Sequence, residues 1–318
     1  MDNLTHSLAG WALAETGLKH RTRKGLAACI LAANLPDIDV FFGWAPWEPL
    51  ATHRGFTHGV VGGVLVLPPL LALLLWVLDR WQVRRGRIAQ GAPPLHFGWL
   101  LALSYLGALT HPLLDLQTVY AVQLLSPFNL RWFHSDGLFI ISPWLLVVLG
   151  LGVWRSRKTV QGGPALKALI AATLFIVLNV GISVQAWNAP RVDAPYANPD
   201  RIFAAPEPLW FWRRDVVWRQ QGQIVHARFD PLNGGLADIG APMPDNMADP
   251  DVQRAATATT DVRMFLAWSQ MPFAKVKRLS CVVTVTFGDA RFADPRLVGG
   301  FTRQVELPVQ SALCPSSA

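Results

Sequence analysis

The stretch His53-Arg54-Gly55-Phe56-Thr57-His58 stands directly before a long apolar run that begins at Gly59. Two histidines on either side of a glycine are therefore held where a polar loop meets an apolar helix. Imidazole is the commonest side-chain ligand of metal ions. The stretch predicts a metal site at the surface of a membrane.

The composition is typical of a membrane protein. The 318 residues are 52% hydrophobic and only 15% charged, whereas soluble domains carry about 25% charged residues. The fourteen tryptophans suit membrane–water interfaces, where this residue is enriched. The net charge of +7 comes from short basic clusters between apolar runs, as in cytoplasmic loops, so no nucleic-acid partner is expected. No cleavable signal peptide is expected, because Met1-Asp2-Asn3 offers no basic n-region.

Apolar segments predict a mainly α, polytopic membrane helix bundle with about six membrane segments. The segments are 4–18, 25–43, 59–78, 97–116, 138–154 and 165–187. The first two are short for a span, which needs about 20 residues, and Asn34-Leu35-Pro36-Asp37 interrupts the second. These two are expected to form a helical hairpin packed inside the bundle.

The composition changes from Asn188 onward. Prolines between Pro190 and Pro208 predict a stiff linker. Runs rich in β-branched and aromatic residues predict strands at 216–230, 262–269, 276–287 and 301–307. We therefore predict a membrane domain at 1–189 and a small β-rich C-terminal domain at 190–318. Cys281 and Cys314 could form a disulfide there only outside the cytoplasm.

If the six segments cross the membrane in alternating directions, each polar stretch between them is assigned to one side of the membrane. The basic clusters 19–24, 80–87 and 155–158 fall on one side, which is cytoplasmic by the positive-inside rule. The other side receives both termini, the β-rich domain and a set of histidines and aspartates. These are His6, Asp37, Asp39, His53, His58, His111, Asp115, His134 and Asp136. Nothing in the charge rule requires this gathering, so a site is predicted at the extracytoplasmic surface.

The gathered side chains are metal ligands by type. His111 and Asp115 lie one turn apart on one face of a helix. Asp37 and Asp39, on a turn after Pro36, could bridge two ions. Imidazole together with carboxylate suits zinc, manganese or iron better than calcium. The set exceeds the needs of one tetrahedral ion, which favours two ions that activate water for an in-line displacement.

Each signal also has a structural interpretation. His6 could be a hydrogen-bonded interior residue, the His111–Asp115 pair could be a structural hydrogen bond, and Asp136 could cap the following helix. Arg54 could pair with an anionic substrate group such as phosphate or extend towards the membrane interface. The joint occurrence of so many ligand types on one membrane side favours the metal site.

Short motifs in a fixed order resemble a known family. They are Met1-Asp2-Asn3-Leu4-Thr5-His6, Pro36-Asp37-Ile38-Asp39, His53-Arg54-Gly55-Phe56-Thr57-His58, His111-Pro112-Leu113-Leu114-Asp115 and Asp136-Gly137-Leu138-Phe139. This series is similar to the bacterial membrane-bound metal-dependent hydrolases, also called LexA-binding, inner-membrane-associated hydrolases, over about residues 1–190. The resemblance implies an integral inner-membrane protein with metal-dependent hydrolase activity. It carries over as site residues His6, Asp37, Asp39, His53, His58, His111, Asp115 and Asp136.

Two further parts of the sequence are not covered by these family motifs. His134 is a candidate ligand from its position alone. Family members often have a Gly-Thr pair where this sequence has Val119-Tyr120. This departure from the family pattern is expected to affect the shape of the substrate pocket.

The expected activity is hydrolysis of a phosphoester in a lipid or lipid-linked substrate. The metals would be held by Asp37, His53, His58, His111 and Asp115, with Asp39 or Asp136 as ligand or general base. The alternative is a non-enzymatic, metal-stabilised membrane scaffold or regulator that binds a partner through its C-terminal domain. A catalytic site differs from a structural one by an open coordination position. A transporter is disfavoured, because its ionisable groups would lie near the membrane midplane.

Overall fold

The computed structural model describes residues 1–159, 162–193, 198–293 and 301–308. By internal contacts the chain divides into two units. The first comprises Met1–Ser183 and Pro206–Trp212, and the second comprises Val184–Ala205 and Arg213–Ala318. The first is helical and the second is rich in β-strands, in agreement with the predicted fold class. The domain limits 1–189 and 190–318 stay a prediction.

Seven α-helices precede the first strand in the described part of the chain, and His6, His111 and Asp115 lie near the ends of two of them. The seven helices are α1 (Asn3–Glu15), α2 (Gly25–Asn34), α3 (Glu48–Ala51), α4 (Leu67–Arg84), α5 (Phe97–Asp115), α6 (Pro143–Thr159) and α7 (Gly163–Asp193). A 3-10 helix at Leu35–Phe41 follows α2, another at Phe56–His58 precedes α4, and a π-helical stretch at Val60–Val66 joins the latter to α4. π-Helical turns are frequent at functional sites.

Three helices of the described residues are long and apolar enough to cross a membrane. They are Val60–Arg84, Phe97–Asp115 and Gly163–Val192. The predicted count of six is not reached, because α1, α2 and α6 have only 13, 10 and 17 residues. At 1.5 Å per residue even the longest of these is about 26 Å long, less than the roughly 30 Å of hydrocarbon core.

Small residues let α1 and α5 approach α2 closely. A Cβ atom added at Gly10 would lie 2.6 Å from the carbonyl oxygen of Cys29, and one added at Gly107 would lie 2.5 Å from the same atom. Close backbone approach at small residues is a common way for membrane helices to pack. One turn away from these glycines, at the same end of the bundle, α1 carries His6 and α5 carries His111.

The second unit contains two antiparallel sheets. One has the order β1-β2-β3-β4 with β5 paired to β3, and the other has the order β6-β7-β8. The strands are β1 (Arg201–Pro206), β2 (Arg214–Gln220), β3 (Gln223–Asp230), β4 (Gly235–Ala237), β5 (Met243–Pro244), β6 (Pro272–Arg278), β7 (Val282–Asp289) and β8 (Thr302–Pro308). The helices α8 (Pro250–Ala258) and α9 (Thr260–Trp268) lie between them in sequence. The predicted runs 216–230 and 276–287 are thus hairpins, each containing parts of two strands.

Two expectations for this region are wrong. The run 262–269 is not a strand but most of helix α9, whose N-terminus is capped by Thr259 through its side chain and the backbone N–H of Val262. Pro190 does not begin a linker, because α7 continues past it to Asp193.

The cysteines differ in their bonding. Cys281 is disulfide-bonded, whereas Cys29 is free and buried between the helices. Cys314 lies outside the described residues.

Candidate metal centre

Helix ends and short turns bring the candidate ligands together. His6 lies in the first turns of α1, Asp37 and Asp39 in the 3-10 helix after α2, and His111 and Asp115 in the last turns of α5. His53 and His58 flank the turn that precedes the π-helical stretch. All these residues belong to the first unit.

Four donor atoms form a compact buried cage. His58 Nε2 lies 3.0 Å from His111 Nε2, 3.4 Å from Asp37 Oδ1 and 3.2 Å from Asp115 Oδ2. His111 Nε2 lies 3.3 Å from each of the same two carboxylate oxygens. Ligands at 2.0–2.1 Å from a tetrahedral ion are about 3.3 Å from one another. The spacing of these atoms is therefore that of a tetrahedral coordination shell.

Several atoms at this cage are buried without a hydrogen-bond partner. Asp115 Oδ2 and both ring nitrogens of His6 have none, and both residues are fully buried. His6 stacks on His111 with the ring centroids 3.7 Å apart, and its Nε2 lies 3.4 Å from Asp115 Oδ1. The α-amino group of Met1 contacts the same Oδ1 atom. Unpartnered buried polar groups are costly, and a bound cation would satisfy Asp115 Oδ2.

Hydrogen bonds on the opposite ring nitrogens orient the two central histidines. His111 Nδ1 lies 2.7 Å from the carbonyl oxygen of Ala33, which can only accept. His58 Nδ1 lies 3.0 Å from Thr57 Oγ1 in a hydrogen bond and 3.1 Å from Asp39 Oδ2 as an ion pair. A proton on each Nδ1 leaves the lone pair of each Nε2 directed into the cage. This outer arrangement is typical of histidines that bind metals.

A second group of potential ligands shares one residue with the first. Asp37, Asp39 and His53 could hold an ion, and Asp37 also belongs to the group with His58, His111 and Asp115. His53 Nδ1 lies 2.7 Å from Asp39 Oδ1. Asp37 and His53 are also the accessible members, with side chains 17% and 34% exposed. The site therefore opens to its surroundings at these two residues.

Arg54 is buried beneath the carboxylates. Its Nε lies 3.1 Å from Asp115 Oδ2, as an ion pair without hydrogen-bond geometry. Its Nη1 donates a hydrogen bond to Thr118 Oγ1 at 2.7 Å, and the guanidinium lies 4.6 Å from the ring centroid of Tyr120. The backbone φ of Arg54 is 63°, a left-handed conformation that is uncommon outside glycine. The turn thus uses Arg54, and not Gly55, at its left-handed position.

The charges of the cluster balance through protons when no ion is bound. Burial by itself lowers the pKa of His58, but its contacts with the carboxylates of Asp115, Asp37 and Asp39 raise it to about 10. Burial by itself raises the pKa of Asp37, but hydrogen bonds to His111 and His58 hold it well below its usual range. The carboxylates are thus ionised and compensated by imidazolium and by Arg54. A divalent cation would take the place of that proton.

His134 and Asp136 form a pair of their own. His134 Nδ1 lies 2.8 Å from Asp136 Oδ1, and Asp136 is fully buried. Their segment follows the end of α5, where the backbone N–H of Ser135 donates to the carbonyl oxygen of Leu116 at 2.8 Å. Neither residue belongs to the two ligand groups found among the described residues.

Some residues of the site carried no separate signal in the sequence. Thr57 Oγ1 donates to Asp39 Oδ2 at 2.8 Å, and the Arg54 backbone N–H donates to the same oxygen at 3.0 Å. Thr57 and Arg54 lie within the HRGFTH stretch. Their closeness to two histidines in the sequence is the signal that could have identified them as residues of the site. Nothing in the sequence indicated the carbonyl oxygen of Ala33 or the hydroxyl of Thr118.

Comparison with known proteins gives one match. The model of a family described as "YdjM inner membrane protein" matches residues 1–189, which is more than half of the 318 residues. The matched part contains all the candidate ligands. No curated protein and no solved structure matches the chain.

Proposed function

The chain belongs to the YdjM inner membrane protein family, and we propose that it acts in the inner membrane as a metal-dependent hydrolase of phosphoesters. The family, a group of LexA-regulated membrane-bound metal-dependent hydrolases, is the one predicted from the order of the histidine and aspartate motifs. The family match indicates a location in the inner membrane. The structure contains a buried cluster of His and Asp residues that could bind metal. The reaction, the substrate and the role of each residue are the proposal.

The observation that carries the proposal is the cage around His58 and His111. Its donor atoms are 3.0–3.4 Å apart, and Asp115 Oδ2 within it has no hydrogen-bond partner. A structural hydrogen-bond network would satisfy such an atom. A donor set of imidazole and carboxylate fits zinc, manganese or iron.

The residues divide between two proposed ion positions. Asp37, His58, His111 and Asp115 would hold one ion, and Asp37, Asp39 and His53 would hold the second. His6 stacks on His111 and lies 3.4 Å from Asp115 Oδ1, beside the first position and outside both groups. Ions bound there would activate water and stabilise the charge that develops on the phosphoester oxygens.

Other contacts position these ligands. Besides its place in the second ion position, Asp39 holds His53 and His58 through their Nδ1 atoms. Arg54 is only 3% exposed, so we propose that it fixes the carboxylate of Asp115 and does not contact the substrate. The His134–Asp136 pair has the form of an imidazole oriented by a carboxylate, which is suited to accepting or donating a proton.

The depth of the site favours a headgroup as the substrate. His58 immediately precedes the membrane helix Val60–Arg84, and Asp115 is the last residue of the membrane helix Phe97–Asp115. Both membrane helices thus end at the site, where the lipid headgroups begin. We therefore propose a lipid or lipid-linked phosphoester as the substrate.

The opposite helix ends carry the basic clusters. Arg23 pairs with Asp79 in the last part of α4 through two contacts of 2.6 and 2.7 Å, and Arg157 lies 5.3 Å from the ring centroid of Trp11. By the positive-inside rule, these ends would face the cytoplasm and the metal centre the outside. The disulfide at Cys281 supports the same orientation for the C-terminal region, because disulfides persist outside the cytoplasm.

The test is metal analysis followed by an activity assay on the full chain in detergent. We expect bound zinc, manganese or iron, and hydrolysis of a phosphomonoester, phosphodiester or phospholipid that stops on chelation and returns when the metal is restored. Stoichiometric metal without activity on any of these substrates would contradict the hydrolase proposal and favour a structural role. The absence of bound metal after reconstitution would contradict the metal centre itself.

A further inference from the structure

Exposed apolar side chains lie on segments that carry metal ligands or are close to them in the chain or by hydrogen bonds. Phe41, Trp44 and Phe128 are 73%, 77% and 82% exposed, and Val40 and Leu125 are also exposed. We call these five residues the apolar rim. Large side chains of this kind seldom lie open to water together unless they contact a partner or a membrane.

The rim is carried by the same turns as the metal ligands. Val40 and Phe41 lie in the 3-10 helix Leu35–Phe41 that holds Asp37 and Asp39. Leu125 and Phe128 lie in a loop whose residue Gln123 donates from its backbone N–H to the carbonyl oxygen of Arg54 at 2.9 Å. The rim therefore lies on segments next to those of the accessible residues Asp37 and His53.

The rim is continuous with the membrane-facing surface of a helix. The backbone N–H of Val60, the first residue of the candidate span Val60–Arg84, donates to the carbonyl oxygen of Leu124 at 2.9 Å. Leu65 and Leu70, further along this span, are exposed as well. The loop with Leu125 and Phe128 is thus bonded to the start of a membrane helix, at the level where the hydrocarbon region gives way to headgroups.

The polar groups of the rim are satisfied within the chain. The indole N–H of Trp44 donates to the carbonyl oxygen of Phe41 at 2.9 Å, and the backbone N–H of Phe128 donates to the carbonyl oxygen of Leu125 at 3.0 Å. Burial of a polar group without a hydrogen bond is costly. The N–H groups of Trp44 and Phe128 could therefore move from water into lipid without losing a hydrogen bond.

We propose that the apolar rim enters the lipid layer and that the substrate is a phospholipid taken laterally from the bilayer, with no passage through water. The membrane contact stands on the rim alone, whereas the identity of the substrate rests on the proposed hydrolase function. Tryptophan and phenylalanine at the boundary would hold the rim in the membrane interface. The site would then open towards the headgroups of its own leaflet.

Fluorescence quenching in reconstituted vesicles tests the membrane contact. The variant Phe128→Cys is labelled with the fluorophore NBD, which is practical because Cys29 is buried and Cys281 is disulfide-bonded. Leu74→Cys, exposed within the span Val60–Arg84, is the lipid control, and Gln90→Cys, exposed in the loop after the basic cluster, is the aqueous control. We expect the label at 128 to be quenched by nitroxide lipids and shielded from iodide, as at 74. Quenching by iodide as strong as at 90 would overturn the proposal.

An activity comparison tests the lateral route. Wild type and the variant Phe41→Ser/Phe128→Ser are assayed on phosphatidylglycerol in vesicles and on dihexanoyl phosphatidylglycerol below its critical micelle concentration. We expect a loss of at least tenfold on vesicles with unchanged cleavage of the monomeric substrate, and no loss in either assay for the control Leu232→Ser, a residue 72% exposed in the second unit. Equal losses on both substrates, or none on vesicles, would overturn the lateral route. If wild type cleaves neither lipid, the substrate proposal is refuted, and the quenching result decides the membrane contact by itself.

Discussion

His58 and His111 direct their Nε2 atoms at each other across 3.0 Å. Each ring is held in that orientation from its other nitrogen, His111 by the carbonyl oxygen of Ala33 and His58 by Asp39. Two neutral imidazoles in this arrangement would place lone pair against lone pair, so a positive charge must lie between them. In the ion-free protein a proton on His58 supplies that charge, and we propose that a metal ion supplies it in the working protein.

Replacement of either central histidine is expected to remove the metal. His58→Ala and His111→Ala each delete one corner of the cage, and we expect at least a tenfold loss of bound metal and of any hydrolase activity. Metal content of the detergent-purified protein measures the effect. His20→Ala, at an exposed position near the basic cluster, is the matched control and should keep its metal. Stoichiometric metal in both cage variants would show that the ion lies elsewhere.

Asp39 is expected to act on metal affinity both as a ligand of the second ion and by holding other ligands in place. The substitution Asp39→Asn keeps the size of the side chain but cannot accept all the hydrogen bonds from Arg54, Thr57 and the histidines. Loss of such an outer contact commonly weakens metal binding by about 10- to 100-fold. Competition with a chelator would measure this loss. The control Asp238→Asn, on an exposed residue, should bind metal as wild type does, and equal affinity of both variants would contradict the assigned role.

Arg54 is expected to matter most when the ion is absent. Arg54→Gln leaves the buried carboxylate of Asp115 without its nearest positive side chain, and removal of one partner of a buried ion pair costs about 3–5 kcal/mol. A bound divalent cation should compensate for the missing charge. We therefore expect a large fall in the thermal unfolding temperature of the ion-free variant and a smaller fall after metal is added. Arg228→Gln, which breaks an exposed pair with Asp238, should change neither. An equal fall with and without metal would refute the compensation.

The residues of the two candidate ligand groups could be selected from the sequence because their types and positions are local signals. His111 and Asp115 share a helix face through their spacing, and the HRGFTH stretch places two histidines beside an apolar run. Their partners could not be predicted in the same way. The carbonyl oxygen of Ala33 reaches His111 only because Gly10 and Gly107 let α1 and α5 lie close to α2. Such contacts depend on tertiary packing, which a single sequence does not display.

The errors in the fold have identifiable physical causes. The run 262–269 was assigned to a strand from its β-branched and aromatic residues, yet its buried residues Val262, Phe265 and Trp268 recur every three positions. That spacing is typical of a helix and was a better guide than propensity. Three helices of the described residues are long and apolar enough to cross a membrane, fewer than the predicted segments, because apolar composition does not show where a helix ends. Helix α2 ends at Asn34, before Pro36 and the aspartates that the site requires.

The second unit is expected to lose stability in acid through Asp289. Its buried carboxylate accepts hydrogen bonds from Ser269 Oγ at 2.6 Å and from the Gln270 backbone N–H at 3.0 Å, and pairs with Arg291 at 2.8 Å. Burial by itself raises the pKa of Asp289, but the charge of Arg291 and these hydrogen bonds lower it below its usual value. A carboxyl group with a lowered folded pKa contributes stability above its unfolded pKa of about 3.9. That contribution is lost as the pH falls through the folded pKa.

The variant Asp289→Asn should therefore unfold more easily at neutral pH and show a weaker loss of stability on acidification. Chemical unfolding of the full chain, followed by tryptophan fluorescence between pH 7 and pH 3, would measure both effects. Asp200→Asn, whose exposed side chain pairs with Arg219, is the control and should behave nearly as wild type does. An unchanged pH profile in Asp289→Asn would refute the assignment.

The contact of Gly107 with α2 is expected to control the metal centre from a distance. In Gly107→Ala the new Cβ atom would meet the carbonyl oxygen of Cys29 at 2.5 Å, so α5 must move away from α2. His111 lies one turn further along α5 and would move with it, away from the carbonyl oxygen of Ala33 that orients its ring. We expect metal affinity to fall at least tenfold. The matched control is Gly150→Ala within α6, where an added Cβ meets nothing within 4 Å. That control should keep its metal and gain about 0.5–1 kcal/mol of helix stability, whereas equal metal affinity in the two variants would show that the approach of α5 to α2 does not position His111.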